Sequence, residues 1–263
     1  MNIYNLYSRV ETNPNDNQSC LNYICSRFQV YIQQQGNAYV TQVEQKKSPL
    51  DFVGKVIAFK RLIDDLTNNV FSKNQKFEKH RNQGFQNFLN KFQRTPVFLA
   101  MYSDFMLKKG LKNNSESERE EKIKELTQII FYLFQKDIFF KRYVIFLAKR
   151  LLNETSLSDE CERQLIVELK KECGQIAVNS IEQMSRDMSD SKEYLQEFKK
   201  SRYYRRIDKF DLKINILRNG SWPDLHENCK TVVPVQLKKY CDIFKEFYNT
   251  KHKDDRKLQW VMS

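Results

Sequence analysis

Between Val56 and Val70 the apolar residues Val56, Phe59, Ile63, Leu66 and Val70 fall alternately three and four positions apart, a stripe that only a helix with a packing partner can bury. The start of this helix is marked too. Ser48 supplies an N-cap hydroxyl, Pro49 suits the first helical position and Asp51 places a carboxylate beside exposed N–H groups, so a helix is expected from Ser48 to about Phe71. Tyr4–Val10 and Leu21–Gln35 read as two helices before it, and Phe77–Phe92 as one after it.

Arg94-Thr95-Pro96 breaks this array, because proline disfavours helical geometry in the residue before it. A helix then runs from Pro96 to about Lys109 and stops at Gly110. Ser117 and Glu120 have capping-box spacing for the next, whose stripe is Ile123, Leu126, Ile130 and Leu133. Asp137 and Ser158 read as N-caps of helices over about 137–152 and 159–173, the latter ending at Gly174. Another helix is expected over about 178–188, and Ser189-Asp190-Ser191 as the cap of one from Lys192 to Ser201. Short turns between such stripes make a bundle. With only 6 Gly and 5 Pro in 263 residues, an all-β chain is excluded as a reading.

From Phe210 the period changes to two: Phe210, Leu212, Ile214 and Ile216 alternate with polar residues, the pattern of a half-buried strand ended by Gly220-Ser221-Trp222-Pro223. A helix is expected from about Pro234 to Tyr248, with Leu237, Tyr240, Phe244 and Phe247 inward, and a second strand over Lys257–Val261. Two strands alone are marginal in water, so this sheet reads as unfinished. The expected class is mainly α, in three parts: a helical array over 1–95, a four-helix bundle over 96–207 and a small truncated α/β segment over 208–263.

The net charge of +12 would draw nucleic acid, anionic lipid or acidic protein segments without selecting among them. The cations are dispersed in pairs such as Lys141-Arg142 and Lys170-Lys171, which read as solvated faces. Six cysteines without a CxxC pair fit a reducing interior, and a cytoplasmic and/or nuclear location is expected. The longest apolar runs, Ile129–Phe134 and Tyr143–Ala148, are too short to span a bilayer.

Signals for catalysis are few. Of His80, His226 and His252 only His226 has metal-ligand spacing to a cysteine, Cys229, and one pair needs two more ligands. Phosphate-loop, dinucleotide, zincin and nucleophile-elbow motifs are absent. Cys173 sits at a helix end and reads as structural. Neither an enzyme nor a cofactor or metal site is expected.

The run from Asp137 to Leu152 (DIFFKRYVIFLAKRLL), followed by Ser158-Asp159 and by Lys171-Glu172-Cys173-Gly174, resembles the core of a cullin homology region. Further strings resemble cullins in the same order: Tyr4–Val10, Asp187-Met188-Ser189 with Ser191-Lys192, Glu197-Phe198-Lys199, Gly220–Pro223, Phe247-Tyr248, Lys251-His252 and Arg256–Trp260. The resemblance implies the end of the last cullin repeat, the four-helix bundle and the start of the α/β subdomain. Counterparts of the first repeat and of the C-terminal winged helix are missing, so the expectation is an incomplete scaffold: a piece, a partial gene product or a reduced paralogue. Two stretches depart from the pattern, at Gln175–Gln183, where cullins read close to FTSKLEG, and at His252–Arg256, in place of HSGR.

Cullins are non-catalytic scaffolds of cullin-RING ubiquitin ligases, and the resemblance implies that role here in ubiquitin-dependent protein catabolism. In the family a RING-box protein adds a strand to the α/β subdomain; the matching positions are Phe210, Leu212, Ile214, Ile216, Trp222, Leu258 and Trp260. Leu212, Ile214, Ile216 and Trp222 also read simply as a small core. Lys108, Lys109 and Lys112 match a basic groove that attracts the acidic tail of some ubiquitin-conjugating enzymes, while Lys108 and Lys109 equally suit a helix C-terminus on structural grounds. Lys149 and Arg150 read as structural. Two other readings stand beside the scaffold: a basic helical nucleic-acid-binding protein, prompted by the charge and by 13 Tyr and 19 Phe, and a folded cullin remnant without ligase activity.

Overall fold

The computed structural model describes residues 20–46, 48–207, 212–224, 234–252 and 256–261. Among them it has nine α-helices and no strand. They are α1 Cys20–Lys46, α2 Pro49–Asp65, α3 Gln75–Lys91, α4 Thr95–Phe105, α5 Glu116–Phe131, α6 Lys136–Leu152, α7 Asp159–Cys173, α8 Gln175–Lys200 and α9 Val235–His252. Contacts divide the chain into two compact units: one of 1–146 with 155–178, the other of 147–154 with 179–263. The Tyr4–Val10 helix, Phe210 and the His226/Cys229 pair lie outside the described residues.

In the first unit α1 packs on α3, α2 on α4, and α5 on α7. Helix α1 continues eleven residues past the expected Gln35 because Gly36, inside it, lets α3 come close: a Cβ there would stand 2.3 Å from the Phe88 ring. Gly84 of α3 admits Ile32 of α1 in the same way. Replacement of a helical glycine by alanine ordinarily stabilises by about 0.5–1 kcal/mol. At Gly54, where a Cβ meets nothing within 4 Å, Gly54→Ala is expected to show that gain in thermal melts. Gly36→Ala is expected to lose about 1–3 kcal/mol instead, since the buried Phe88 ring must move. Equal shifts for the two variants would contradict the close crossing.

The stripe on α2 buries Val56, Phe59 and Ile63, but Leu66 and Val70 are only half-buried. The helix passes into a π-helical turn at Leu66–Val70, whose wider winding shifts the phase and buries Thr67 instead. A second π-turn, Met106–Gly110, extends α4. Ser48 occupies the N-cap position of α2 but makes no side-chain cap hydrogen bond. The capping box of α5 is Ser115 with Glu118, two residues ahead of the expected pair, because the same spacing occurs twice and the earlier one adds helix. Asp137 lies in the first turn of α6, which starts at Lys136, instead of capping it.

Ser158 caps α7 as expected, accepting from Cys161 N at 3.1 Å, and Gly174 ends that helix at φ 84°. Burial pushes the Cys173 thiol up, against nearby Lys136. A polar seam ties α3 to the end of α5: Tyr132 donates to Asn82 Oδ1 at 3.0 Å, and Asn90 bridges the Tyr132 carbonyl (2.9 Å) and Phe134 N (2.7 Å). Burial drives the Tyr132 phenol up to about 12.

In the second unit α8 is one continuous helix, not two. The expected cap at Ser189–Ser191 does not form, because the Ser191 hydroxyl donates to the Asp187 carbonyl one turn back at 2.6 Å and faces residues 212–218. The core here is Phe198, Ile207, Tyr240, Ile243, Phe244, Phe247 and Tyr248. The two expected strands are not observed: residues 212–218 and 257–261 carry no ladder among the described residues. A strand needs a neighbouring backbone, and 212–218 instead meets side chains of a helix.

Candidate functional site

Gln183, Asp187 and Ser191 stand four residues apart on α8 and therefore share one face. Asp187, 1% exposed, is the centre of the arrangement. Its Oδ2 accepts from Arg218 N and from Trp222 Nε1, both at 2.8 Å, and its Oδ1 from Gln183 Nε2 at 2.9 Å. The Arg218 guanidinium adds charge at 3.5 Å and reaches Asp190 at 2.6 Å. An ionised carboxylate this buried would be costly alone; several donors, one of them cationic, offset the desolvation. Ser191 Oγ accepts from Ile216 N at 2.7 Å and lies 3.2 Å from Ile216 O.

The segment's other attachment is apolar. Leu212, Ile214, Ile216, Leu258 and Trp260 all pack against the Phe198–Phe244 core, Trp260 edge-on to Phe244 at 6.2 Å. Five of the expected RING-box positions thus converge. Trp222 is half-buried, and its indole N–H donates to Asp187. Lys213 on the outer side pairs with Glu154 at 2.8 Å.

The basic trio lies in the first unit. Lys108 is engaged by Asp104 at 3.0 Å, while Lys109 and Lys112 are exposed. Arg150, read as structural, is fully buried. Among the described residues no group of three or more His, Cys, Asp or Glu could hold a metal, and no helix is long and apolar enough to cross a membrane.

Reasoning from sequence missed Asp187 and Ser191 as the residues that hold the segment. Their signal was present: both belong to a cullin-like string, and Trp222 belongs to another. The structure places these two strings in contact.

Among the described residues, an array of paired amphipathic helices with a short segment pinned by a helix face defines a mainly α protein. The family model described as "Cullin alpha solenoid domain" matches residues 1–195, and the chain belongs to the cullin family. It is similar to Cullin-3B of Arabidopsis thaliana, 32% identical over 231 residues (88% of this chain, 31% of the relative), and to Cullin-3 of Dictyostelium discoideum, 31% identical over 262 residues (98% and 32%). Cullin-3 of Caenorhabditis elegans is 31% identical over 223 residues, 84% of this chain and 29% of the relative. The chain therefore spans about a third of the length of these curated relatives.

Proposed function

We propose that this chain is a non-catalytic cullin-type scaffold of a ubiquitin ligase, and that its segment 212–218 binds a RING-box protein by strand addition. The observation that carries the reading is an alternating segment anchored on one side, with the backbone groups of Lys213, Asn215 and Leu217 making no hydrogen bond among the described residues. Such an edge takes a partner strand by main-chain pairing, whatever the side chains. Lys109 and Lys112, exposed and basic, suit electrostatic attraction of an acidic conjugating-enzyme tail, with Lys108 shared with Asp104. A cytoplasmic and/or nuclear location goes with this role. The nucleic-acid reading is not favoured: Phe59, Phe139, Phe244 and Phe247 are buried and so do not serve for stacking.

Co-expression with a RING-box protein tests the reading. The complex is expected to co-purify, and Ile214→Pro to abolish it by distorting the segment. Lys108→Glu combined with Lys109→Glu should leave that complex intact and weaken only recruitment of an acidic conjugating enzyme, more so at low salt. No co-purification with the unaltered chain would sink the strand-addition reading.

A further inference from the structure

An isolated extended segment has two edges, and here they differ. In extended backbone, residues two apart direct their N–H and C=O groups to the same side and their immediate neighbours to the opposite side. Ser191 meets both N and O of Ile216, and Asp187 meets N of Arg218, so α8 occupies the even-numbered edge at its 216–218 end, while Leu212 and Ile214 on that edge make no backbone hydrogen bond among the described residues. Lys213, Asn215 and Leu217 face the other way, with no backbone partner among the described residues.

We propose that Asp187 and Ser191 act as a surrogate strand: two side chains one helical turn apart take bonds that a neighbouring strand would supply at 216 and 218, leaving the 213/215/217 edge as the one open along its whole length to an incoming extended segment. Spacing makes the substitution workable. One α-helical turn rises about 5.4 Å, and two strand residues span about 6.6 Å, so groups at i and i+4 on α8 can serve residues 216 and 218. The pair are positioning residues: they touch no partner themselves but decide which edge stays open. Side-chain acceptors end the pairing at α8, because a helix whose own backbone groups are bonded internally offers no ladder to continue. As far as a partner is concerned, the inference rests on the strand-addition reading above.

Amide hydrogen exchange of the full chain separates the two ideas. In the unaltered protein the amides of Ile216 and Arg218 are expected to exchange roughly tenfold more slowly than those of Lys213, Asn215 and Leu217, the difference one hydrogen bond makes. Ser191→Ala should release the Ile216 amide alone, with α9 still protected. Asp187→Asn should release Arg218 and alter the environment of the Trp222 indole N–H. If Asp187→Asn fails to fold, Ser191→Ala decides. Adding a RING-box protein should slow exchange at 213, 215 and 217 and leave 216 and 218 unchanged. Equal exchange on both edges of the unaltered chain, full protection of Ile216 in Ser191→Ala, or partner protection confined to 216 and 218 would each overturn the proposal. The Ser191→Ala effect without any protection by the partner would uphold the surrogate strand and refute strand addition by that protein.

Discussion

Ile130→Asp is expected to cost more than about 4 kcal/mol and to leave little folded protein at room temperature, where whole-domain stability is only about 5–15 kcal/mol. Ile130 is fully buried on α5, in line with Ile123, Leu126 and Leu133, each 1% exposed. That face belongs to the helix that packs on α7. The substitution removes the isoleucine's burial and puts a carboxylate where no cation or donor has been arranged for it; the group must either stay charged in an apolar setting or take up a proton to enter it. Helical circular dichroism followed through a thermal melt reads the effect. A variant that melts with the parent would mean the buried face of α5 has been assigned wrongly.

That stripe was legible in the sequence because helical periodicity is local. Its four positions are all buried, and the limits of α3, α6 and α7 fall within a residue or two of the expected ones. What could not be read locally was decided by contacts distant in sequence. Helix α1 is expected from sequence to end at Gln35, yet it passes through Gly36, where the Phe88 ring takes the space a Cβ would fill. The cluster Ser189–Ser191 looked like a cap, yet Ser191 turns to Ile216, 25 residues on. In both cases a contact distant in sequence decided the outcome.

The candidate site divides along the same line. The alternation of Leu212, Ile214 and Ile216 is a local signal, and those side chains do face one core with Leu258 and Trp260. Their neighbour is another matter. Hydrophobic period gives the side-chain faces of an extended segment and is silent on its edges, so it could not distinguish a paired strand from a segment pinned by Asp187 and Ser191. For Trp222, similarly, the sequence carried apolar bulk, while the structure uses the indole N–H. The cullin resemblance singled out these strings without giving their physical connection.

Phe198→Ala is expected to destabilise the second unit by about 3–5 kcal/mol, the cost of emptying a large aromatic site in a core that relaxes only partly. Phe198 is fully buried, and its ring lies 5.0 Å from Phe244, 5.2 Å from Phe247 and 5.6 Å from Tyr204, so it joins α8 and α9 at the centre of that core. The consequence extends to the proposed site, because Leu212, Ile214, Ile216, Leu258 and Trp260 pack against the same cluster. Faster exchange of α9 amides should therefore be accompanied by faster exchange at Ile216 and Arg218, even though Asp187 and Ser191 are unaltered. Val235→Ala supplies the comparison: Val235 is 85% exposed on α9, and its truncation should change stability by no more than about 0.5 kcal/mol. If Phe198→Ala loosens α9 but leaves Ile216 and Arg218 protected, the α8 side chains alone hold the segment and its apolar packing contributes little. If both loosen together, helix contact and core contact form one cooperative anchor, and a partner adding to the open edge would be stabilising that whole assembly instead of a single strand.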